Sequence, residues 1–422
     1  MEQQPLKIAL LSVHSSPLGK LGTRDTGGMS IYIRELASEL GGQGHVVDIY
    51  TRQEHAGGEQ IIPLSNNVSL IHIKAGPTGY LSKLRLYPFL SEFFHTMEKF
   101  RVCQRKNYDI VHSNYWLSGR VGIWAQRYWH VPHVVLFHTL AAVKNMFSVG
   151  VPEPALRFSI EKLVSKCSTR IVAETEQERE HLVTFYDVPL RKISIIPCGV
   201  NADIFHPLDK HRCRTQLGLD NNQIILLYVG RLDPLKGLEN LICALSHVQQ
   251  PNRLRLLLVG GEHSDKTYIQ HLRELAANAG VFKMVSFMGR AEHAMLPSYY
   301  NAADALVLPS YTESFGLVGL EALACGTPVV ATRVGALDKI IHCGTNGFLA
   351  DRSDPYLLAQ QINRLITALR AGQFSRVAIR STVINYCWSQ VGTLMINEYR
   401  SAIKNAHFQF HHDGKACAVL SA

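Results

Sequence analysis

Short apolar runs alternate with longer stretches of helical periodicity along almost the whole chain. In the first half the runs fall at residues 8–13, 46–50, 69–73, 109–112, 133–138 and 170–173. Amphipathic patterns lie between them at 29–40, 84–104, 119–128, 154–165 and 176–186. Runs of this length, bounded by Gly, Pro or charge, read as buried strands, and the alternation predicts a parallel sheet with helices on both faces. The rhythm pauses at Ile195-Ile196-Pro197-Cys198-Gly199-Val200-Asn201, where Pro and Gly punctuate a strand end. It restarts with runs at 224–229, 254–259, 285–288, 305–309, 328–332 and 347–350. A chain of 422 residues is too long for one ordinary core. The prediction is α/β: two Rossmann-like doubly wound domains, 1–203 and 204–387, facing across a cleft. A helical segment follows at 388–404. Residues 405–422 show no periodicity and read as a loose tail.

Composition narrows the class. An apolar content of 46% with 18% charged residues is that of a globular protein. No run of about 18 apolar residues suggests a membrane span, and Lys7 leads straight into the first strand without a leader-like pattern. Nine cysteines are scattered singly, which argues for reduced thiols in a cytoplasm. The twenty histidines form no metal-ligand spacing, and His411-His412 lies in the polar tail. A net charge of +9 admits nucleic acid, an anionic membrane or a phosphorylated substrate. No RNA-binding or helix-turn-helix signature supports the first.

The chemistry gathers where strands end. After the run 305–309 comes Glu313-Ser314-Phe315-Gly316-Leu317-Val318-Gly319-Leu320-Glu321, which opens a helix. A helix N-terminus at a strand's carboxyl end favours a phosphate. Carboxylates accept hydrogen bonds from neutral hydroxyls. Together they suit a ligand with phosphates and polyhydroxylated parts, such as a nucleotide sugar. Gly230-Arg231-Leu232-Asp233-Pro234-Leu235-Lys236-Gly237 follows another strand, and its Arg and Lys suit a diphosphate. Thr26-Gly27-Gly28-Met29-Ser30, with Asp25 before it, offers close backbone approach. It matches neither a dinucleotide fingerprint nor a P-loop. His138-Thr139 closes the fifth run, and Met288-Gly289-Arg290 the third run of the second half.

The Glu313–Glu321 block resembles the Glu-x7-Glu segment of retaining glycosyltransferases of family 4, which have the GT-B fold. The likeness runs from Lys7 to about Lys404. It implies a donor site of Gly28, Arg231, Lys236, Arg290, Glu313, Ser314, Phe315, Gly316, Leu317 and Glu321. In it Glu321 accepts the ribose hydroxyls and Glu313 holds the transferred sugar. Arg231 and Lys236 neutralise the leaving diphosphate, and His138 touches the donor sugar. It also implies a last helix that crosses back onto the first domain. His112-Ser113-Asn114-Tyr115-Trp116-Leu117-Ser118-Gly119, the run from His138 to Asn145, and Leu81-Ser82-Lys83 look like the inositol-phosphate N-acetylglucosaminyltransferases of mycothiol synthesis. Sucrose-phosphate synthases are more distant relatives of the same kind. That likeness places an acceptor phosphate on Lys83, Tyr115, Thr139 and Arg157. Ser30 stands where those enzymes carry an acceptor-contacting Asn, which leaves the acceptor open.

The expected activity is retaining transfer of a hexose or N-acetylhexosamine from a UDP-sugar to a hydroxyl of a phosphorylated polyol or sugar, with no metal or other cofactor. The resemblance implies that attack and departure take place on one face, and no first-domain Asp or Glu is evident at the cleft to act as a nucleophile. A lipid-linked or glycan acceptor at a membrane's inner face is the alternative, because the basic, aromatic segment 83–106 suits an anionic surface. The competing reading of that segment is a helix packed on its own domain. A UDP-sugar 2-epimerase and a non-catalytic sensor are the further alternatives. A homodimer is left open.

Overall fold

The protein is described by a computed structural model, covering residues 4–19, 26–147, 149, 151–249, 253–261 and 265–412, with backbone alone for 407–412. Asp25 and residues 413–422 lie outside the described residues. The first sheet holds β1 (Lys7–Leu11), β2 (Val46–Arg52), β3 (Ile61–Ser65), β4 (Val68–Ile73), β5 (Ile110–Asn114), β6 (His133–Leu136), β7 (Arg170–Ala173) and β8 (Ile193–Ile195). Its order is β3-β4-β2-β1-β5-β6-β7-β8. Every pairing is parallel except that of β3 with β4. β3 departs from the all-parallel expectation. It carries Pro63, which cannot donate to a ladder and is tolerated on an edge.

The second sheet holds β9 (Ile224–Val229), β10 (Leu254–Val259), β11 (Val285–Gly289), β12 (Ala305–Leu308), β13 (Val329–Thr332) and β14 (Gly347–Ala350). Its order is β11-β10-β9-β12-β13-β14, all parallel. Parallel strands buried on both faces explain the near-continuous apolar runs. Among the parallel strands of each sheet the order reverses once, between β1 and β5 and between β9 and β12. The loops after those strands are where such sheets bind ligands.

Two helical expectations change. The segment 84–104 is not one helix: Lys83–Leu86 passes through a 3-10 turn, Tyr87–Phe89, into the helix Leu90–Cys103. Pro88 lacks the N–H that a continuous helix would need. Phe93, Phe94, Met97 and Phe100 of this helix are buried in the first domain's core, so its apolar face is turned inward. The helix Glu176–Tyr186 falls where the pattern places it, and it begins at Glu176 because Thr175 caps it, its hydroxyl accepting from Glu178 N–H at 3.0 Å. Secondly, the last helix runs from Trp388 to His412, so residues 405–412 are helical rather than a loose tail. It packs on the helix Gly28–Gly42. Glu398 accepts from Arg170 Nε at 2.5 Å and from Ser194 Oγ at 2.7 Å, and Tyr399 Oη lies 2.5 Å from His112 Nδ1.

Candidate active site between the two sheets

The carboxyl ends of the two sheets face one cavity of about 350 Å³, within the size range of small-molecule sites. On the second-domain side, the loops after β9 and β12 are neighbours because their strands pair at the switch point. Gly237 makes this possible. It has φ +67°, and a Cβ there would lie 2.1 Å from the Pro309 carbonyl oxygen, so a larger residue would push the two loops apart. Asp233 starts the turn Pro234–Lys236 by accepting from Leu235 N–H at 3.0 Å. The turn aims Lys236 at Glu313, Nζ to Oε1 2.7 Å, and Ser310 Oγ donates to the same oxygen at 2.7 Å. Arg231 lines the cavity with its side chain nearly half exposed.

Gly316, at φ +92°, turns the chain into the helix Leu317–Ala324, which no side chain caps. The helix Gly28–Gly42 faces it from the first domain and, among the described residues, also lacks a capping side chain. Residues from both N-terminal turns line the cavity. A Cβ on Gly28 would lie 3.4 Å from Leu317 Cδ1. Two helix N-termini across one cavity, with Arg231 and Lys236 beside them, have the free N–H groups and positive charge that suit a diphosphate. Glu321 lies one helical stretch deeper and is buried. Tyr300 Oη donates to its Oε2 at 2.6 Å, while His293 Nε2 stands 3.6 Å from Oε1, too far for a hydrogen bond. Arg290 also lines the cavity.

The first-domain side carries backbone strain. Tyr115 and His138 have φ values of 78° and 60°, a region that L side chains rarely adopt and that clusters at functional sites. His138 Nε2 is 2.8 Å from Asn114 Oδ1, and Tyr32 packs edge-on against its ring. Its carbonyl accepts from the Ser314 hydroxyl, which joins the two domains. Lys83, Tyr115 and Thr139 line the same cavity. Lys83 Nζ lies 5.9 Å and Arg157 Cζ 4.7 Å from the centre of the Tyr115 ring.

Three expectations are corrected here. Arg157 does not line the cavity: it is buried, pairs with Glu161 at 2.7 Å and Glu153 at 2.9 Å, and donates to the Thr139 carbonyl and hydroxyl at 2.7 and 2.9 Å. It therefore supports Thr139 rather than presenting itself to a ligand. Ser30 is fully buried with its hydroxyl 2.6 Å from that of Ser15, because its place on the helix turns it away from the cleft. A first-domain carboxylate does reach the cleft. Glu174 follows β7, lines the cavity and sits 3.7 Å from His138 Nδ1, while Cys198 Sγ lies 2.9 Å from its Oε1. Its position directly after a strand was the signal. His293 and Asn114 were also missed. His293 follows an exposed strand end, and Asn114 is itself the last residue of β5.

Comparison with known proteins matches both halves. Residues 26–204 match the description Glycosyltransferase Family 4, and residues 209–371 match Glycosyl transferases group 1. The chain is 36% identical to the D-inositol 3-phosphate glycosyltransferase of Xylanimonas cellulosilytica, over 94% of this chain and 97% of that one. It is 34% identical to the protein of that name from Corynebacterium glutamicum, over 96% of this chain and 100% of the other. Among solved structures it is similar to sucrose-phosphate synthase from Thermosynechococcus elongatus, with TM-score 0.87, 31% identity and coverage of 95% and 100%. Anabaena HepE, solved with UDP and glucose, shares the fold at TM-score 0.74 and 20% identity, with coverage of 94% and 100%.

Proposed function

The chain belongs to glycosyltransferase family 4, with the two-domain GT-B architecture, and we propose that it transfers a hexose or N-acetylhexosamine from a UDP-sugar, with retention, to a hydroxyl of a phosphorylated polyol or sugar. One observation carries this reading. The two facing helix N-termini, Arg231 and Lys236 share a single cavity with the hydroxyl-accepting Glu313 and Glu321 and with Lys83 and Thr139 on the opposite wall. The names of the relatives support an inositol phosphate as the first acceptor to test. The likeness to sucrose-phosphate synthase supports a hexose phosphate as the second.

In the proposed reaction the acceptor hydroxyl attacks the anomeric carbon from the face the diphosphate leaves. The departing phosphate oxygen takes the hydroxyl proton as the old C–O bond breaks and the new one forms. Arg231, Lys236 and the two helix N-termini stabilise the charge that builds on the leaving group. In this proposal these groups, and no metal, balance that charge. Glu321 orients the ribose, and Glu313, tethered by Lys236 and Ser310, orients the sugar. Glu174 faces the His138 imidazole, an arrangement that suits support of that residue better than attack on the sugar. Domain closure through Ser314 and His138 keeps water out.

The test is UDP release from UDP-glucose and UDP-N-acetylglucosamine, with D-inositol 3-phosphate, fructose 6-phosphate and their unphosphorylated counterparts as acceptors. The expected result is release that requires a phosphorylated acceptor, gives an α-linked product by NMR, and is lost in Lys83→Ala. Release no faster than the acceptor-free rate with every phosphorylated compound would refute the acceptor class. Conversion of the donor sugar without UDP release would mark an epimerase.

A further inference from the structure

Lys144 belongs to none of the groups assigned so far. It sits in the short helix Ala141–Asn145, directly after His138 and Thr139, and it lines both the main cavity and a second one beside it. Its ammonium is bonded to the carboxylate of Glu153, whose Oε1 is also 2.9 Å from Arg157 Nη1. Burial opposes the charge on Glu153, but Arg157 and Lys144 outweigh it and hold the carboxyl below its ordinary value. The two cations of this corner, Lys144 and Arg157, are thus balanced by two carboxylates, Glu153 and Glu161. A dianion arriving at Thr139 would meet a corner already neutralised.

The two carboxylates are not equally fixed. Glu161 is fully buried in the helix Ala155–Cys167 and accepts from Arg157, Tyr186 and Ala141 N–H. Glu153 lies on the loop before that helix with its side chain 17% exposed. Its backbone is anchored separately: its N–H donates to Asn145 Oδ1 at 2.7 Å, and its carbonyl accepts from Asn145 Nδ2 at 3.1 Å. The carboxylate can therefore swing away while the loop stays fastened.

We propose that Lys144 is a further acceptor-binding residue held in reserve by Glu153, and that an incoming phosphate displaces the Glu153 carboxylate and takes over the Lys144 ammonium. The inference rests on the phosphorylated-acceptor reading. It gives that reading a source of selectivity. A neutral acceptor cannot compete with a carboxylate for an ammonium, whereas a phosphate dianion can, because charge-assisted bonds strengthen with the acceptor's charge.

The test compares Glu153→Gln with Lys144→Met in the full-length protein. Glutamine keeps the shape and the backbone anchors but releases the ammonium. Glu153→Gln is expected to lower the KM for the phosphorylated acceptor, and Lys144→Met to raise it, each by about three- to tenfold, as for gain or loss of one partly exposed ion pair between Lys144 and the phosphate; Arg157, which also loses Glu153 as a partner, keeps Glu161 and the Thr139 carbonyl and hydroxyl. The change falls on acceptor KM rather than on kcat. In the double variant the gain from Glu153→Gln disappears. If Glu153 and Lys144 merely staple the loop, both single variants raise KM together, and the proposal is overturned. A second measurement needs no turnover: calorimetric titration of inorganic phosphate into protein saturated with UDP, so that the donor's diphosphate subsite is filled. Tighter binding in Glu153→Gln and weaker binding in Lys144→Met support the reserve role. Equal binding in all three proteins, or none in any, refutes it. Failure of every phosphorylated acceptor in the wild-type turnover assay would instead count against the proposed function, and the phosphate titration separates the two failures.

Discussion

Glu321 offers the most direct test of how the donor is held. Its two carboxylate oxygens have different surroundings. Oε2 accepts from Tyr300 Oη at 2.6 Å, and Tyr300 is fixed in turn by Thr327, whose hydroxyl donates to its carbonyl at 2.7 Å. Oε1 has His293 at 3.6 Å, which is outside hydrogen-bond range. Oε1 is therefore the oxygen left for a ribose hydroxyl. A hydrogen bond to a charged group contributes roughly 1.5–3 kcal/mol, so Glu321→Ala should weaken UDP binding about 10- to 150-fold. The same change leaves the Tyr300 hydroxyl buried without an acceptor, which costs about 1–3 kcal/mol of fold stability. Affinity and stability must be separated, and the ligand can do this. Calorimetry with UDP and with 2′,3′-dideoxy-UDP on both proteins forms a cycle. The wild-type protein should prefer UDP by that same factor, and Glu321→Ala should bind the two nearly alike. If Glu321→Ala weakens both ligands equally, the carboxylate is a structural partner of Tyr300 and does not read the ribose.

Three further outcomes follow from the same geometry. Lys236→Met removes the cation at the leaving group and leaves Glu313 with Ser310 alone; kcat/KM in the UDP-release assay should fall about 100- to 1,000-fold, and a fall under threefold would remove Lys236 from the chemistry. Gly28→Ala should be tolerated, since its Cβ makes an ordinary contact with Leu317, whereas Gly28→Val overpacks the approach of the two helices and should raise donor KM roughly 5- to 150-fold; equal KM values in the two variants would contradict a close approach. Burial, and then the neighbouring Glu174, push the Glu178 carboxyl from 4.5 up to about 8. The folded protein then keeps a proton that the unfolded chain loses, so this group's contribution is intact below about pH 4.5 and is lost as pH rises to about 8. Glu178→Gln should gain Tm over wild type progressively across that window in thermal unfolding, and a constant difference at every pH would refute the assignment.

The sheets were legible because parallel strands buried on both faces leave apolar runs that few other structures leave. The donor half of the site was legible for a related reason: Arg231, Lys236, Glu313 and Glu321 all stand within a few residues of such a run. Glu174 obeys the same rule and was passed over, because its loop carries no glycine to draw notice. Arg157 was misread although its partners were in view. Glu153 and Glu161 lie four residues to either side of it, the spacing at which helical charges pair. Ser30 could not have been placed from local sequence, since its partner Ser15 comes from the loop after β1 and only the folded approach of that loop turns the hydroxyl inward. β3 was hidden by its Pro63, and residues 405–412 by weak periodicity in a helix whose earlier turns already secure it.

The distribution of contacts between the domains says how the site works as a unit. At the back of the cleft the connection is dense. Val200 bridges to Cys387, Arg380 donates to the carbonyls of Ala202 and Phe205 at 3.0 and 2.7 Å, Asn201 Nδ2 donates to Glu35 at 3.1 Å, and Trp388 packs edge-on against Tyr32. At the mouth the contacts are made by the site's own loops: Ser314 to the His138 carbonyl, and Gly335 N–H to Gln177 at 3.1 Å. A hinge near 200–202 and 386–388 could therefore open the mouth at the expense of those few bonds while the back stays joined. The bond that closes the mouth links the loop bearing Glu313 to the residue whose left-handed backbone presents its carbonyl outward. The same bond thus joins the donor wall to the acceptor wall. The left-handed backbone at His138 is thus tied to this interdomain bond: relaxing it would shift the carbonyl that accepts from Ser314.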